Sequence, residues 1–281
     1  LHTQSVSMPA GESPSALIAS ELANLLRYRQ LITTLTARDL KARYRGSVLG
    51  FFWSLANPLL LLGVYTLVFT YFLPRPDLSG PYALFLFAGI LPWTFFAGSV
   101  LESTTSISSN GGLVKKVMFP AEALPLVVIF SHLVHFLLAL PILVAASLLS
   151  AVTGHTDLTL SILMVPVLLF LQTLFVAGIG LMISSAAVLF RDLRDLVANL
   201  LQLGFFMTPV IYSISSIQSR SLRVLLQINP MTPFVMAWQD VFFFGRLPGL
   251  VSTLLMRLYA VLSLTLGFIV FDRLRDSLAE A

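Results

Sequence analysis

Five stretches of this 281-residue chain run for more than twenty residues without a charged side chain. They lie between Arg45 and Arg75, Asp77 and Glu102, Glu122 and Asp157, Asp157 and Arg191, and Asp195 and Arg220, and enclose 29, 24, 34, 33 and 24 residues. Each exceeds the roughly 20 residues that carry a helix across about 30 Å of hydrocarbon. A sixth apolar stretch, 247–271, is interrupted only by Arg257. Six spans are predicted, at about 49–72, 82–101, 124–152, 158–189, 196–214 and 250–271. With 57% hydrophobic and 11% charged residues, against about 25% charged in a typical soluble domain, a water-soluble enzyme is excluded. Backbone groups in lipid are satisfied only within helices or closed barrels. Solid runs such as 59–62 and 137–140 lack the alternation of barrel strands. The expected fold is an all-α integral membrane protein. Residues 1–20 show no compact apolar core of a cleavable signal, and zero cysteines exclude disulfides and thiolate metal sites.

Basic residues in short loops prefer the cytoplasmic side. With the N-terminus inside, the inner segments hold twelve cations, from Arg27 to Arg275, and the outer ones hold Arg75, Arg220, Arg223 and Arg246. Both termini are therefore expected in the cytoplasm. The net charge of +4 reflects this membrane-facing bias and does not point to nucleic acid, since no soluble fold presents a basic cluster to phosphates.

Three segments do not span. Residues 15–46, after a flexible 1–14, are too polar to insert, yet Tyr28, Leu31, Ile32 and Leu35 form an i, i+3, i+4, i+7 stripe beside basic residues, the pattern of a helix lying in the membrane interface. The stretch 102–122 carries a short basic and apolar run stopped by Pro120 that needs a surface to dock on. Residues 215–249 are long for a helical connection and apolar around Trp238 and 242–244. Short half-helices dipping back into the outer leaflet account for them. The membrane domain is bounded at 47–273, with a cytoplasmic tail at 274–281.

Several strings resemble the ABC-2 type permeases that export polysaccharide or polyol-phosphate chains, of the O-antigen and teichoic-acid kind. They are Arg38-Asp39-Leu40-Lys41-Ala42-Arg43-Tyr44-Arg45-Gly46 with Trp53 and Asn57-Pro58, Leu91-Pro92-Trp93, Leu113-Val114-Lys115-Lys116-Val117 with Phe119-Pro120, Phe190-Arg191-Asp192-Leu193, Thr208-Pro209-Val210-Ile211-Tyr212 and Asn229-Pro230-Met231-Thr232. The resemblance implies six spans per subunit, an N-terminal interfacial helix, a cytoplasmic coupling helix and re-entrant gate helices between spans five and six. It further implies a homodimer in the cytoplasmic (inner) membrane of a bacterium, paired with two ATP-binding cassette subunits that bind ATP and magnesium, while this chain binds no cofactor or metal and catalyses nothing alone. No G-x-x-x-x-G-K-[ST] phosphate loop occurs in it.

By that resemblance the coupling element is Asn110, Val114, Lys115, Lys116, Phe119, Pro120 and Glu122; a basic loop held by anionic lipid is the plainer reading of the same residues. Arg38, Asp39, Lys41, Arg43, Tyr44 and Arg45 read as a lipid anchor, or as a lever that transmits ATPase closure and touches the pyrophosphate of a lipid-linked glycan. Trp53, Tyr65, Phe69, Phe72, Trp93, Phe205, Phe206 and Tyr212 are candidates to line a glycan conduit, because sugar C–H faces slide on aromatic rings; interfacial belts and lipid-facing rings are the alternative. Asn229, Pro230, Met231 and Trp238 mark the gate. His132 and His135 share a helix face and read as neutral histidines bonded between helices, since the predicted spans hold no acidic partner for a proton path. The partner of Arg257 is not legible.

The function expected is export of a lipid-linked polysaccharide. A drug or simple-lipid ABC-2 exporter is the closest alternative. A membrane-bound glycosyltransferase or ligase would need placed carboxylates that the spans lack.

Overall fold

A computed structural model describes residues 28–47, 50–72, 80–110, 112, 120–156, 160–190 and 192–280. The expected flexible 1–14 segment and Val114, Lys115, Lys116 and Phe119 lie outside them. Among the described residues every regular element is helical: α1 (Arg29–Tyr44), α2 (Trp53–Leu67), α3 (Tyr82–Ser106), α4 (Ala123–Val152), α5 (Val165–Leu189), α6 (Leu193–Met207), α7 (Arg220–Ile228), α8 (Thr232–Phe242) and α9 (Leu250–Glu280).

Five helices are long and apolar enough to cross a membrane: Trp53–Phe72, where α2 continues as a π-helix, Tyr82–Ser106, Ala123–Val152, Leu160–Leu189 and Leu250–Leu274. The fifth expected span, 196–214, is instead the 15-residue α6, about 22 Å long and short of the hydrocarbon thickness. The helix stops because Pro209 disfavours the helical conformation at the residue before it; Thr208 is extended at φ −101°, ψ 138°. A charge-free run need not be a continuous helix. Prolines inside α2 (Pro58), α3 (Pro92) and α4 (Pro141) are accommodated without ending the helices, as neighbouring helices in a membrane bundle permit.

The most extensive helix pair is α5 with α9. Its closeness follows from Gly178 on α5 facing Ser263 and Gly267 on α9. A Cβ added to Gly267 would fall 2.9 Å from the Gly178 Cα, and one added to Gly178 would overlap the backbone of Ser263 and Leu264. Small residues at such crossings let backbones meet, which is how apolar helices gain packing where lipid supplies no hydrophobic drive.

The centre of the bundle is α8. All but one of its residues are buried, and Trp238, Phe234 and Phe242 are among the largest fully enclosed side chains. Trp238 stacks on Phe242 at 5.7 Å and meets Phe136 of α4 edge-on at 5.0 Å, while Phe234 stacks on Phe175 of α5 at 5.0 Å. By contrast, only Ser54 of α2 and only Val197 of α6 are fully buried in the protomer.

Candidate functional sites at the two ends of the bundle

Helices α3, α4 and α5 alternate in direction and α9 runs parallel to α5, so the end of α3, the start of α4 and the ends of α5 and α9 meet at one face, where Ile107, Leu124, Leu181 and Phe268 pack together. This is the basic end. The predicted stripe of α1 packs on protein: Ile32 and Thr36 are buried and α1 lies against α4.

Arg43 is the hub. Its Nε donates to Asp39 Oδ2 at 2.8 Å and its Nη2 to Glu102 Oε1 at 2.5 Å. The second oxygen of Glu102 bonds His132 Nε2 at 2.8 Å, and the Tyr44 hydroxyl reaches His135 Nε2 at 2.5 Å. Burial works against charge on Arg43, yet the hydrogen bonds and charges of Glu102 and Asp39 outweigh it and raise its pKa. The chain of contacts clamps α1 to α3 and α4. The two histidines are indeed held between helices, but the expectation of spans without a carboxylate is corrected: α3 runs on to Ser106 and carries Glu102, and the long α9 carries Asp272.

Loss of the Glu102 carboxylate is expected to cost about 1 kcal/mol, since the group is 36% exposed and partly screened. A double-mutant cycle of Glu102→Gln with Arg43→Ala, followed by thermal unfolding in detergent, should show non-additivity of at least about 0.5 kcal/mol. Strict additivity would mean that the two groups do not act together.

Of the coupling residues, Asn110 ends the α3 side of the segment, its Nδ2 donating to the Ser106 carbonyl at 2.9 Å. Pro120 and Glu122 are buried where α4 begins. Arg38, Lys41 and Arg45 project from α1 and are exposed.

At the opposite end α7 and α8 form a helical hairpin whose second helix lies inside the bundle. Ser219 caps α7 through the Leu222 N–H at 3.4 Å. The turn between the helices is made by Asn229, whose Oδ1 accepts from Met231 N at 3.0 Å and whose Nδ2 donates to Thr208 Oγ1 at 2.9 Å. The tip packs beside Tyr259, whose hydroxyl donates to the Ile228 carbonyl at 3.4 Å. Helix α8 then climbs back until Ser147 near the end of α4 bonds the Phe242 carbonyl at 2.8 Å. Pro230 is exposed, Met231 1% exposed and Trp238 wholly buried. Arg246 at the exit pairs with the buried Asp240 at 2.7 Å and lies 4.7 Å above the Phe244 ring.

The candidate aromatics fall into two groups. Tyr65 and Phe69 of the first span continue to Tyr82 on α3, Phe69 meeting Tyr82 at 4.5 Å. Trp93 meets Phe205 at 5.8 Å, Phe205 meets Phe206 at 5.4 Å, and the Tyr212 hydroxyl donates to the Phe206 carbonyl at 3.0 Å. Trp53 (39% exposed), Phe72 (70%) and Phe206 (59%) present their rings outward, whereas Trp93 is only 7% exposed and packs inside the bundle. Trp53 also borders a cavity of about 310 Å³ with a mixed polar and apolar lining that includes Asn57, Thr94, Tyr44 and His135.

A relay that sequence reasoning missed joins three helices. Trp238 Nε1 donates to Gln172 Oε1 at 2.8 Å, and Gln172 Nε2 donates to the Pro92 carbonyl at 2.8 Å. Its one signal was an amide alone in a charge-free stretch. Gln239 likewise ties α8 to the Pro209 carbonyl at 3.0 Å.

Membrane-length helices clamped by an amphipathic helix at one end and plugged by a hairpin at the other define a polytopic membrane protein. Residues 30–243 match the family described as ABC-2 type transporter, and the chain belongs to that family. It is 37% identical over 258 residues, 92% of this chain and 97% of the relative, to an O-antigen export system permease protein, RfbA, of Myxococcus xanthus. A protein of the same description from Klebsiella pneumoniae is 30% identical, covering 89% of this chain and 94% of its own. The polysialic acid transport protein KpsM of Escherichia coli is 22% identical over 85% of this chain and 92% of its own.

Proposed function

We propose that the chain is the transmembrane subunit of an ABC exporter that moves a lipid-linked, O-antigen-like polysaccharide across the cytoplasmic membrane. The near end-to-end match to O-antigen export permeases carries this reading. The basic end faces the cytoplasm by the preference of cations for that side, and both termini lie there. Two copies enclose the conduit, which explains why α2 and α6 leave apolar faces uncovered in one protomer. α6, extended by the residues after Met207, completes a sixth crossing. The α7–α8 hairpin is re-entrant from the outer side and forms the gate.

Two ATP-binding cassette subunits dock at the basic end on the segment 110–122, which joins α3 to α4 in the chain. Closure of the ATPases pushes on this segment; the Arg43–Glu102–His132 chain passes the movement to α1, α3 and α4. The exposed rings of Trp53, Phe72 and Phe206 face the glycan.

Reconstitution of the chain with its ATPase and a labelled lipid-linked glycan tests this. ATP-dependent translocation is the expected result, and ATP turnover with movement of drugs or simple lipids but no glycan refutes it. Replacing Lys115, Lys116 and Phe119 together with Ala should weaken ATPase binding by at least about tenfold, the effect of losing roughly 1.4 kcal/mol. Unchanged binding and stimulation would remove the coupling role from this segment.

A further inference from the structure

Between α1, α4, α5 and α9 lies a cavity of about 750 Å³, lined by apolar side chains except for Thr33, Thr36 and Thr173 and for Arg29 at one edge. We propose that this groove holds an acyl chain of an anionic phospholipid, with its phosphate beside Arg29. The inference rests on the orientation given above, which places the groove in the cytoplasmic leaflet.

The groove is cut to the depth of one leaflet. Its wall on α4 runs from Leu126 to Leu137, a rise of about 16 Å, against about 15 Å for half of the hydrocarbon core. Leu126 starts near the basic end and Leu137 stands at mid-helix, so the groove opens at the headgroup level and closes near the bilayer centre. Its three threonines do not demand water. Thr33 and Thr36 bond their own helix, to the carbonyls of Gln30 at 3.0 Å and Ile32 at 2.8 Å, and Thr173 bonds the Leu169 carbonyl at 2.7 Å. An apolar space open to lipid and closed to hydrogen bonding takes hydrocarbon.

Charge selects the headgroup. Arg29 is exposed and makes no ion pair among the described residues, and Arg38, Lys41 and Arg45 leave α1 cationic along its outer side. The one acid of α1, Asp39, is already engaged by Arg43. A bilayer phospholipid fits better than the polyprenyl tail of the transported substrate. No residue of α2, α3 or α6 lines the groove, while the outward-facing rings assigned to the glycan stand on or beside α2 and on α6. A tail seated here would lie across the bundle from its own glycan.

The full chain in phosphatidylcholine nanodiscs, doped with phosphatidylglycerol bearing a diazirine on its acyl chain, tests the proposal. Cross-links are expected on 126–137 and 174–181. The Val134→Trp and Thr33→Trp variants fill the groove from opposite walls, so both should lose most of the labelling while keeping a monodisperse elution profile. Arg29→Gln should remove a preference for phosphatidylglycerol over a phosphatidylcholine probe of about fivefold, the effect of one cation near a charged leaflet. Labelling that survives both tryptophans, or an equal response to the two headgroups, overturns the proposal, as does displacement by polyprenyl phosphate but not by phosphatidylglycerol. None of these readouts depends on glycan transport. Transport measured on the same variants therefore separates failure of the groove from failure of the exporter reading.

Discussion

Replacing Gly178 with alanine is expected to cost about 3 kcal/mol or more and to leave little monodisperse protein after extraction from membranes. Overpacking in a protein interior commonly costs about 1–3 kcal/mol, because side chains can move aside. Here the obstacle is the backbone of Ser263 and Leu264, which no rotamer change relieves. The two helices would have to separate along the most extensive contact in the molecule. Gly63→Ala on α2 is the control, since its Cβ would meet nothing within 4 Å and an exposed helix position tolerates alanine well. The measurement is the yield and thermal midpoint of each variant by fluorescence-detected size exclusion. A Gly178→Ala protein as stable as its parent would mean that α5 and α9 do not approach as described.

Trp238→Ala is the second large effect. Truncating a fully buried tryptophan costs about 3–5 kcal/mol, and here it also strips Gln172 of the group bonded to its Oε1, a further cost of about 1–3 kcal/mol for an unsatisfied buried acceptor. Trp238→Phe keeps an aromatic ring against Phe136 and Phe242 but removes the donor. It should therefore cost roughly a third as much as alanine, by the hydrogen-bond component alone. If phenylalanine and alanine were equally damaging, the relay through Gln172 to Pro92 would be the dominant element and ring packing secondary. If both were harmless, α8 would not be the centre of the bundle.

The crossings were legible because their signal is local and additive: a run of uncharged residues either reaches membrane length or does not. That signal failed at 208–214, where an apolar stretch continues past the end of a helix; Pro209 was the available warning. The stripe on α1 was also readable, but its partner was not. Ile32 was expected to meet lipid and is buried against the bundle, because a helical stripe says that a surface is wanted without saying which. Arg43 and Glu102 stand 59 residues apart and Glu102 and His132 stand 30 apart. Such pairings come from how helices cross and leave no periodic trace. Gln172 with Trp238 is the same case at 66 residues. The hairpin at 220–242 was foreseen as short helices because its composition suits neither a loop nor a span; that its tip would be pinned by Asn229 to Thr208 was beyond sequence reading.

The uneven covering of the first two long helices bears on how the chain is made. Helix α2 has none of its most apolar window buried in the protomer, whereas α3 has 72%. As synthesis proceeds, α2 can sit in lipid with no fully buried residue of that window left waiting for a partner. Helix α3 enters less complete: Glu102 has Arg43 already made but still lacks His132, and the Pro92 carbonyl lacks Gln172, partners that emerge 30 and 80 residues later. At roughly 5–20 residues per second, the second of these arrives about 4–16 s after Pro92. The vulnerable interval in the biogenesis of this protein is thus the retention of its second long helix, and a quality-control protease or insertase acting on half-made chains would find its substrate there.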